Sequence, residues 1–218
     1  MTRPQAKSIT LTKVSKAVDL PRHPLSGRLG RFLKTVDAVH TATNLKQVAV
    51  EMTPFVLGAA FNAYTATVPY TIELNPKGSH VELSLIHEVG HFLGWPAIPK
   101  SGFGQRSFQS DPLFAAWLQA VRESQNVNRL LDLRDAEAEE SSVQKAANYL
   151  LDEQELWARS YSQYVAVKML SPALSQQIAA ENKVIAGRIQ FSPYWDAADF
   201  HAVQSEIDKI FQTLSWVK

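Results

Sequence analysis

The chain has 218 residues, 45% of them hydrophobic, with ten Phe, six Tyr and five Trp, which excludes a disordered segment and calls for a buried core. A formal net charge of +1 gives no general attraction to nucleic acid or to an anionic membrane, so neither is expected as a partner. The absence of cysteine removes disulfides, thiolate nucleophiles and cysteine-ligated zinc together, and fits a reducing interior.

In chain order, residues 1–45 read as an N-terminal cap or arm and 46–218 as the main domain, with a single compact unit expected overall. Residues 1–19 carry Arg3, Lys7, Lys13 and Lys16 but no apolar core of signal-peptide length. No run of about 18 apolar residues occurs anywhere, so the expectation is a soluble cytoplasmic protein. The basic-apolar pattern of Arg28, Leu29, Arg31, Phe32, Leu33 and Lys34 suits a short amphipathic helix, either docked on the core or binding a partner.

Residues 47–52, 55–67 and 68–75 are β-rich and suggest a small antiparallel meander. Pro69 places the last of these, with its regular strand near 70–75, at a sheet edge. From residue 79 the chain reads as helical, with Ser79 and Glu82 as a capping box and Gly94 as the C′ residue of the first helix. Residues 95–110, rich in Pro, Gly, Ser and Gln, form either a lid or a plain connection. Asp111-Pro112, Ser171-Pro172 and Ser192-Pro193 mark helix starts, further helices begin near Ser141 and Asp152, and the last ends near Trp216. The acidic run 132–140 reads as a solvated face rather than a second metal site. Strands followed by helices make the fold class α+β.

Residues 87–91 read His-Glu-Val-Gly-His within an apolar stretch. Four residues apart on a helix, His87 and His91 project from one face, which lets two imidazole nitrogens meet one Zn²⁺ at about 2.0–2.1 Å. Glu88 falls about 100° round the helix, beside the metal, where a carboxylate can act as general base on a water. Leu85, Ile86, Val89, Phe92 and Leu93 cover most of the remaining circumference, so two histidines and a glutamate face burial, and a metal supplies their partner.

Catalytic zinc requires a third protein ligand. A third histidine six residues after His91 is excluded, because that position is Ala97. Glu155 is the leading candidate: Asp152 is a plausible N-cap, Glu155 falls at N3, and Ala158 and Ser162 keep its side of the helix small. Spacing alone leaves open Glu153, Glu137, Glu139, Glu140 and His201 as ligands. It also leaves open a capping or Arg159-pairing role for Glu155.

A His-Glu-x-x-His helix followed some sixty residues later by Glu155-Leu156-Trp157-Ala158-Arg159-Ser160-Tyr161 resembles gluzincin-type zinc metallopeptidase domains, in particular those of phage minor head and mobile-element proteins. The matching residues are His87, Glu88, Gly90, His91, Glu155, Ala158 and Arg159. The resemblance implies a zincin-like fold, one Zn²⁺ per chain held by His87, His91 and Glu155, and a protein or peptide substrate. Candidate donors to a transition-state oxyanion are Tyr161, Tyr164, Tyr149 and His80. Two rival functions are a non-catalytic zincin-fold assembly protein and a zinc hydrolase of a non-peptide amide; an intact Glu88 favours an enzyme.

Overall fold

A computed structural model describes residues 13–42, 45–62, 70–94, 108, 111–186 and 189–217 of the protein. The chain forms, in order, α1 (Val14–Ala17), β1 (Val18–Asp19), α2 (Ser26–Val39), β2 (Val48–Met52), β3 (Ala59–Asn62), β4 (Tyr70–Leu74) and α3 (Val81–Phe92). Then follow α4 (Ala115–Glu123), α5 (Gln125–Ala136), α6 (Ser142–Leu151), α7 (Glu153–Lys168), α8 (Pro172–Glu181), β5 (Val184–Ala186), β6 (Ile189–Phe191) and α9 (Ala197–Thr213). The protein is thus α+β, a small sheet on a mainly helical body. No helix among the described residues is long and apolar enough to cross a membrane.

The sheet corrects one expectation. Its order is β1-β2-β4-β3, with β2 parallel to β1 and β4, and only β3 antiparallel to β4. The sheet is therefore mixed, and β4 is an interior strand rather than the edge near 70–75. Its buried Ile72 and Leu74 lie opposite Val50 and Met52 of β2 on one side and Phe61 and Ala59 of β3 on the other. Pro69, the reason for expecting an edge, lies outside the described residues. Among the described residues, the edge strand on this side is β3.

The N-terminal segment belongs to the body. Val14, Ala17, Leu29, Leu33 and Val36 share one apolar core with the sheet, α3 and α7, so the amphipathic face of α2 is docked. Helix ends follow local caps in several places: Ser124, Ser141, Asp152, Ser171 and Asp196 each accept a backbone N–H of the helix they open. Asp111-Pro112 instead makes a turn, Asp111 Oδ1 accepting from Leu113 N–H at 3.0 Å, and α4 starts at Ala115. Likewise Ser192-Pro193 opens no helix; α9 starts after Asp196. The chain segment 95–107, raised as a lid, lies outside the described residues.

At the centre lies α7, in which every residue from Leu156 to Ala166 is buried. Its polar members bond largely to backbone, although Arg159 Nε has no hydrogen-bond partner. Arg159 donates to the carbonyl oxygens of Pro193 and Leu150, Ser162 to that of Arg159, and Gln163 exchanges hydrogen bonds with the backbone of Trp195. Helix α3 crosses α7 with almost no spacing. A Cβ on Gly90 would stand 2.9 Å from Ala158 Cα and 3.2 Å from Ala158 O. Trp157 Nε1 donates to Gly90 O at 2.9 Å. Gly94 is no left-handed C′ residue; a Cβ there would meet the Trp157 ring at 2.7 Å, so its lack of a side chain serves packing.

Because the obstacle at Gly90 is backbone, Gly90→Ala is expected to destabilise the protein by about 1–3 kcal/mol, lowering its melting temperature by several degrees. Gly27→Ala is the control: its Cβ would meet only Arg31 Nη1 at 3.8 Å, so calorimetry should show it neutral or slightly stabilising.

Candidate metal centre

Helix α3 carries His87, Glu88 and His91, and its N-terminus is held by tertiary contacts. The capping box of Ser79 with Glu82 does not form: His80 is the N-cap residue and its side chain makes no capping bond. Instead Gln177 of α8 accepts from Leu83 N–H at 3.1 Å, and Glu82 pairs with Arg28 at 2.8 Å. These contacts, with the Gly90–Ala158 crossing, fix the rotation of α3 about its axis and aim its two histidines at the N-terminal turn of α7.

There the ligand candidates converge. His87 Nε2 and His91 Nε2 are 3.2 Å apart, and each lies 3.2 Å from one oxygen of Glu155, Oε2 for His87 and Oε1 for His91. A tetrahedral site with bonds of about 2.0–2.1 Å has ligand-to-ligand edges of about 3.3–3.4 Å, so the spacing fits a zinc ion. Glu155 Oε2 is buried and, although His87 Nε2 lies 3.2 Å away, no well-formed hydrogen bond reaches it, so a cation would satisfy it. Two nitrogens and a carboxylate oxygen are also the donor set that zinc accepts. Among the described residues this is the only grouping of His, Asp or Glu that could hold a metal ion.

The electrostatics agree with a cation-binding cluster. Burial pushes the Glu155 carboxyl up, but its contacts with His87 and His91 outweigh this and hold it well below the usual carboxylate range. For His91, burial favours the neutral ring, yet Glu155 and Glu88 outweigh it and raise the pKa. Glu88 behaves oppositely to Glu155: burial raises its pKa in spite of His87, His91 and a hydrogen bond to the Phe61 backbone. Two carboxylates a few ångströms apart are thus separated in basicity by their surroundings.

The other ligand candidates are elsewhere. Glu153 pairs with Arg122 at 3.0 Å, and Glu137, Glu139, Glu140 and His201 stand outside the cluster. Three of the four donor candidates also point away. His80 bonds Glu181 at 2.7 Å, Tyr161 bonds buried His40 at 2.8 Å, and Tyr164 donates to Asp208 at 2.8 Å. Tyr149 alone reaches the cleft. Much of its ring is exposed, but its hydroxyl end approaches Glu155, and burial of that end together with the Glu155 charge pushes its pKa well up.

The cleft itself, of about 330 Å³, is lined by Ala59, Ala60 and Phe61 of β3 with Glu88, His91, Tyr149, Asp152, Gln154 and Glu155. The β-rich run over 55–67 marked a strand here, but nothing in the sequence placed that strand as the wall of the cleft. The backbone of β3 alternates between its neighbour and the cleft. Gly58 O accepts from Asn75 N–H at 2.8 Å, so residues 58, 60 and 62 face β4. Ala59 and Phe61 then turn their N–H and C=O groups outward, which agrees with the Phe61 backbone bonding Glu88. Chemically, the arrangement offers a three-ligand cation site, a buried base beside it, a phenol opposite, and an unpaired strand edge. Compared with family models, curated proteins and solved structures, the chain matches none.

Proposed function

We propose that the protein is a zinc-dependent metallopeptidase with a zincin-like fold, in which His87, His91 and Glu155 hold one Zn²⁺ per chain. The observation that carries this reading is the convergence of two imidazole nitrogens and the Glu155 carboxylate at 3.2 Å spacing, with Glu88 next to them. The resemblance of His87-Glu88-Val89-Gly90-His91 and of the Glu155 segment to gluzincin-type domains supports it from the sequence side.

When bound, zinc supplies a Lewis acid and brings the pKa of a water down toward about 7. The rest falls to the protein. Glu88, kept basic by burial, takes the proton of the attacking water and returns it to the departing amine. The Tyr149 hydroxyl, protonated at neutral pH, donates to the oxyanion that forms on the carbonyl. The outward N–H and C=O groups of β3 hold the substrate backbone extended, as an added strand. That recognition favours a peptide over a small amide, and the raised basicity of Glu88 favours an enzyme over a metal-stabilised scaffold, which has no use for a base.

Metal analysis after dialysis against trace zinc is expected to find about one zinc per chain in the wild type and in Glu88→Gln, and much less in Glu155→Gln. Hydrolysis of a peptide library should fall by at least about 10²-fold in Glu88→Gln while zinc stays bound; full activity in that variant would sink the mechanism. Tyr149→Phe is expected to lower kcat by about tenfold or more with little change in KM, since its bond forms only at the oxyanion.

A further inference from the structure

Upstream of β3 the chain makes a loop, Thr53-Pro54-Phe55-Val56-Leu57-Gly58, in which Phe55 is 94% and Leu57 100% exposed. Single exposed apolar residues are ordinary on a protein surface. A pair at the tip of a pinned loop is different. Asn75 holds the loop twice, its side chain donating to Val56 O and its backbone N–H to Gly58 O, both at 2.8 Å. Thr53 N–H donates to Leu74 O at 3.0 Å and Thr53 Oγ1 accepts from Phe55 N–H at 3.3 Å. On the inner side, a Cβ on Gly58 would stand 3.2 Å from Ser84 Oγ of α3. The backbone is therefore tied to β4 and passes close to α3 at Gly58, and the two side chains stand out in water.

The position of the loop says what these side chains meet. It runs straight into β3, whose Ala59 and Phe61 present the unpaired edge in the cleft. Leu57 precedes Ala59 by two residues, at most about 7 Å of backbone. A polypeptide paired with that edge would reach Leu57 and Phe55 within two or three residues of the cleft. The segment from Thr53 to Gly58 carries no charged residue, whereas docking on an anionic bilayer is ordinarily reinforced by Lys and Arg. We infer that Phe55 and Leu57 form a docking site for apolar side chains of an extended polypeptide substrate, outside the residues at the scissile bond. This rests on the peptidase reading for the identity of the occupant, and it deepens that reading by giving the substrate class: unfolded or locally extended protein with apolar residues flanking the cleavage point.

The test uses the full-length, zinc-loaded Glu88→Gln protein, so that binding is read without turnover, and fluorescent β-casein as an unfolded polypeptide. Adding Phe55→Ser and Leu57→Ser is expected to raise the Kd for casein by about tenfold or more, with zinc content and melting temperature unchanged because both side chains are exposed. A Kd within about twofold of the parent, or no casein binding by the parent at all, would overturn the inference. So would loop-dependent binding to phosphatidylcholine vesicles in place of casein, which would make the loop a lipid contact. Turnover of peptides by the wild type is measured separately, so loss of the peptidase reading and loss of the docking site give different results.

Discussion

The candidate metal centre depends on how closely α3 and α7 can approach. Packed helices ordinarily keep their axes about 8–10 Å apart, at a distance set by the side chains between them. Here the contact has no side chain on one side and a single methyl group on the other: Gly90 faces Ala158. With the backbones this close, residues flanking the contact on each helix reach a common point. On α3 these are His87 and His91, three positions before Gly90 and one after it. On α7 it is Glu155, three before Ala158. Trp157 closes the contact, its indole lying against Gly94 and its N–H bonded to Gly90 O. Glycine and alanine at the crossing thus have a functional meaning that neither chemistry nor charge would reveal.

Such a crossing requires α7 to be immobile, and burial on all sides makes it so. A helix with Arg159, Ser160, Ser162 and Gln163 among its buried residues would be costly unless each polar group found a partner. The partners come from distant backbone: Pro193 and Leu150 for Arg159, Trp195 for Gln163. Arg159 also lies over the Trp195 ring, 5.5 Å from its centroid. Burial lowers its pKa to about 10, which still leaves the guanidinium charged at neutral pH. The 193–195 segment thereby braces the far side of the helix that carries Glu155. Ala158 thus serves the crossing and Arg159 the brace.

What the sequence made legible follows the range of the interactions involved. His87, Glu88 and His91 share one helix, so their relative directions follow from 3.6 residues per turn. Glu155 was legible as a position because Asp152 caps its own helix locally, bonding the N–H groups of Gln154 and Glu155 at 2.9 and 3.4 Å. The order of the sheet was not legible: β-branched content marks a strand but does not name its neighbour, and a proline suggested the wrong edge. The cap of α3 was misread for a similar reason, since Gln177 lies 94 residues from the N–H it accepts. Asp111-Pro112 and Ser192-Pro193 satisfied the local rule for a helix start, but Asp111 spends its carboxylate on a turn and Asn182 receives the Tyr194 N–H at 2.8 Å. Of the candidate donors, Tyr161 and Tyr164 share the helix of Glu155, whereas Tyr149 belongs to the helix before it. Yet the first two lie on parts of α7 that face His40 and Asp208, while Tyr149 enters the cleft from the preceding helix.

The wall formed by β3 ties these elements into one site. Its inner edge is consumed by β4, its outer edge pairs with no other strand among the described residues, and that edge stands beside the Glu88 carboxylate because Phe61 packs on Phe92 of α3, ring centroids 6.3 Å apart. A weakly β-forming sequence suffices there, because Ala59 and Ala60 keep the wall low and leave room for another chain. Bulky β-branched residues at those positions would make a better strand by propensity and a narrower cleft. The small residues at 59, 60, 90 and 158 therefore act together: two bring the helices close enough to gather three ligands, and two hold open the space in front of them.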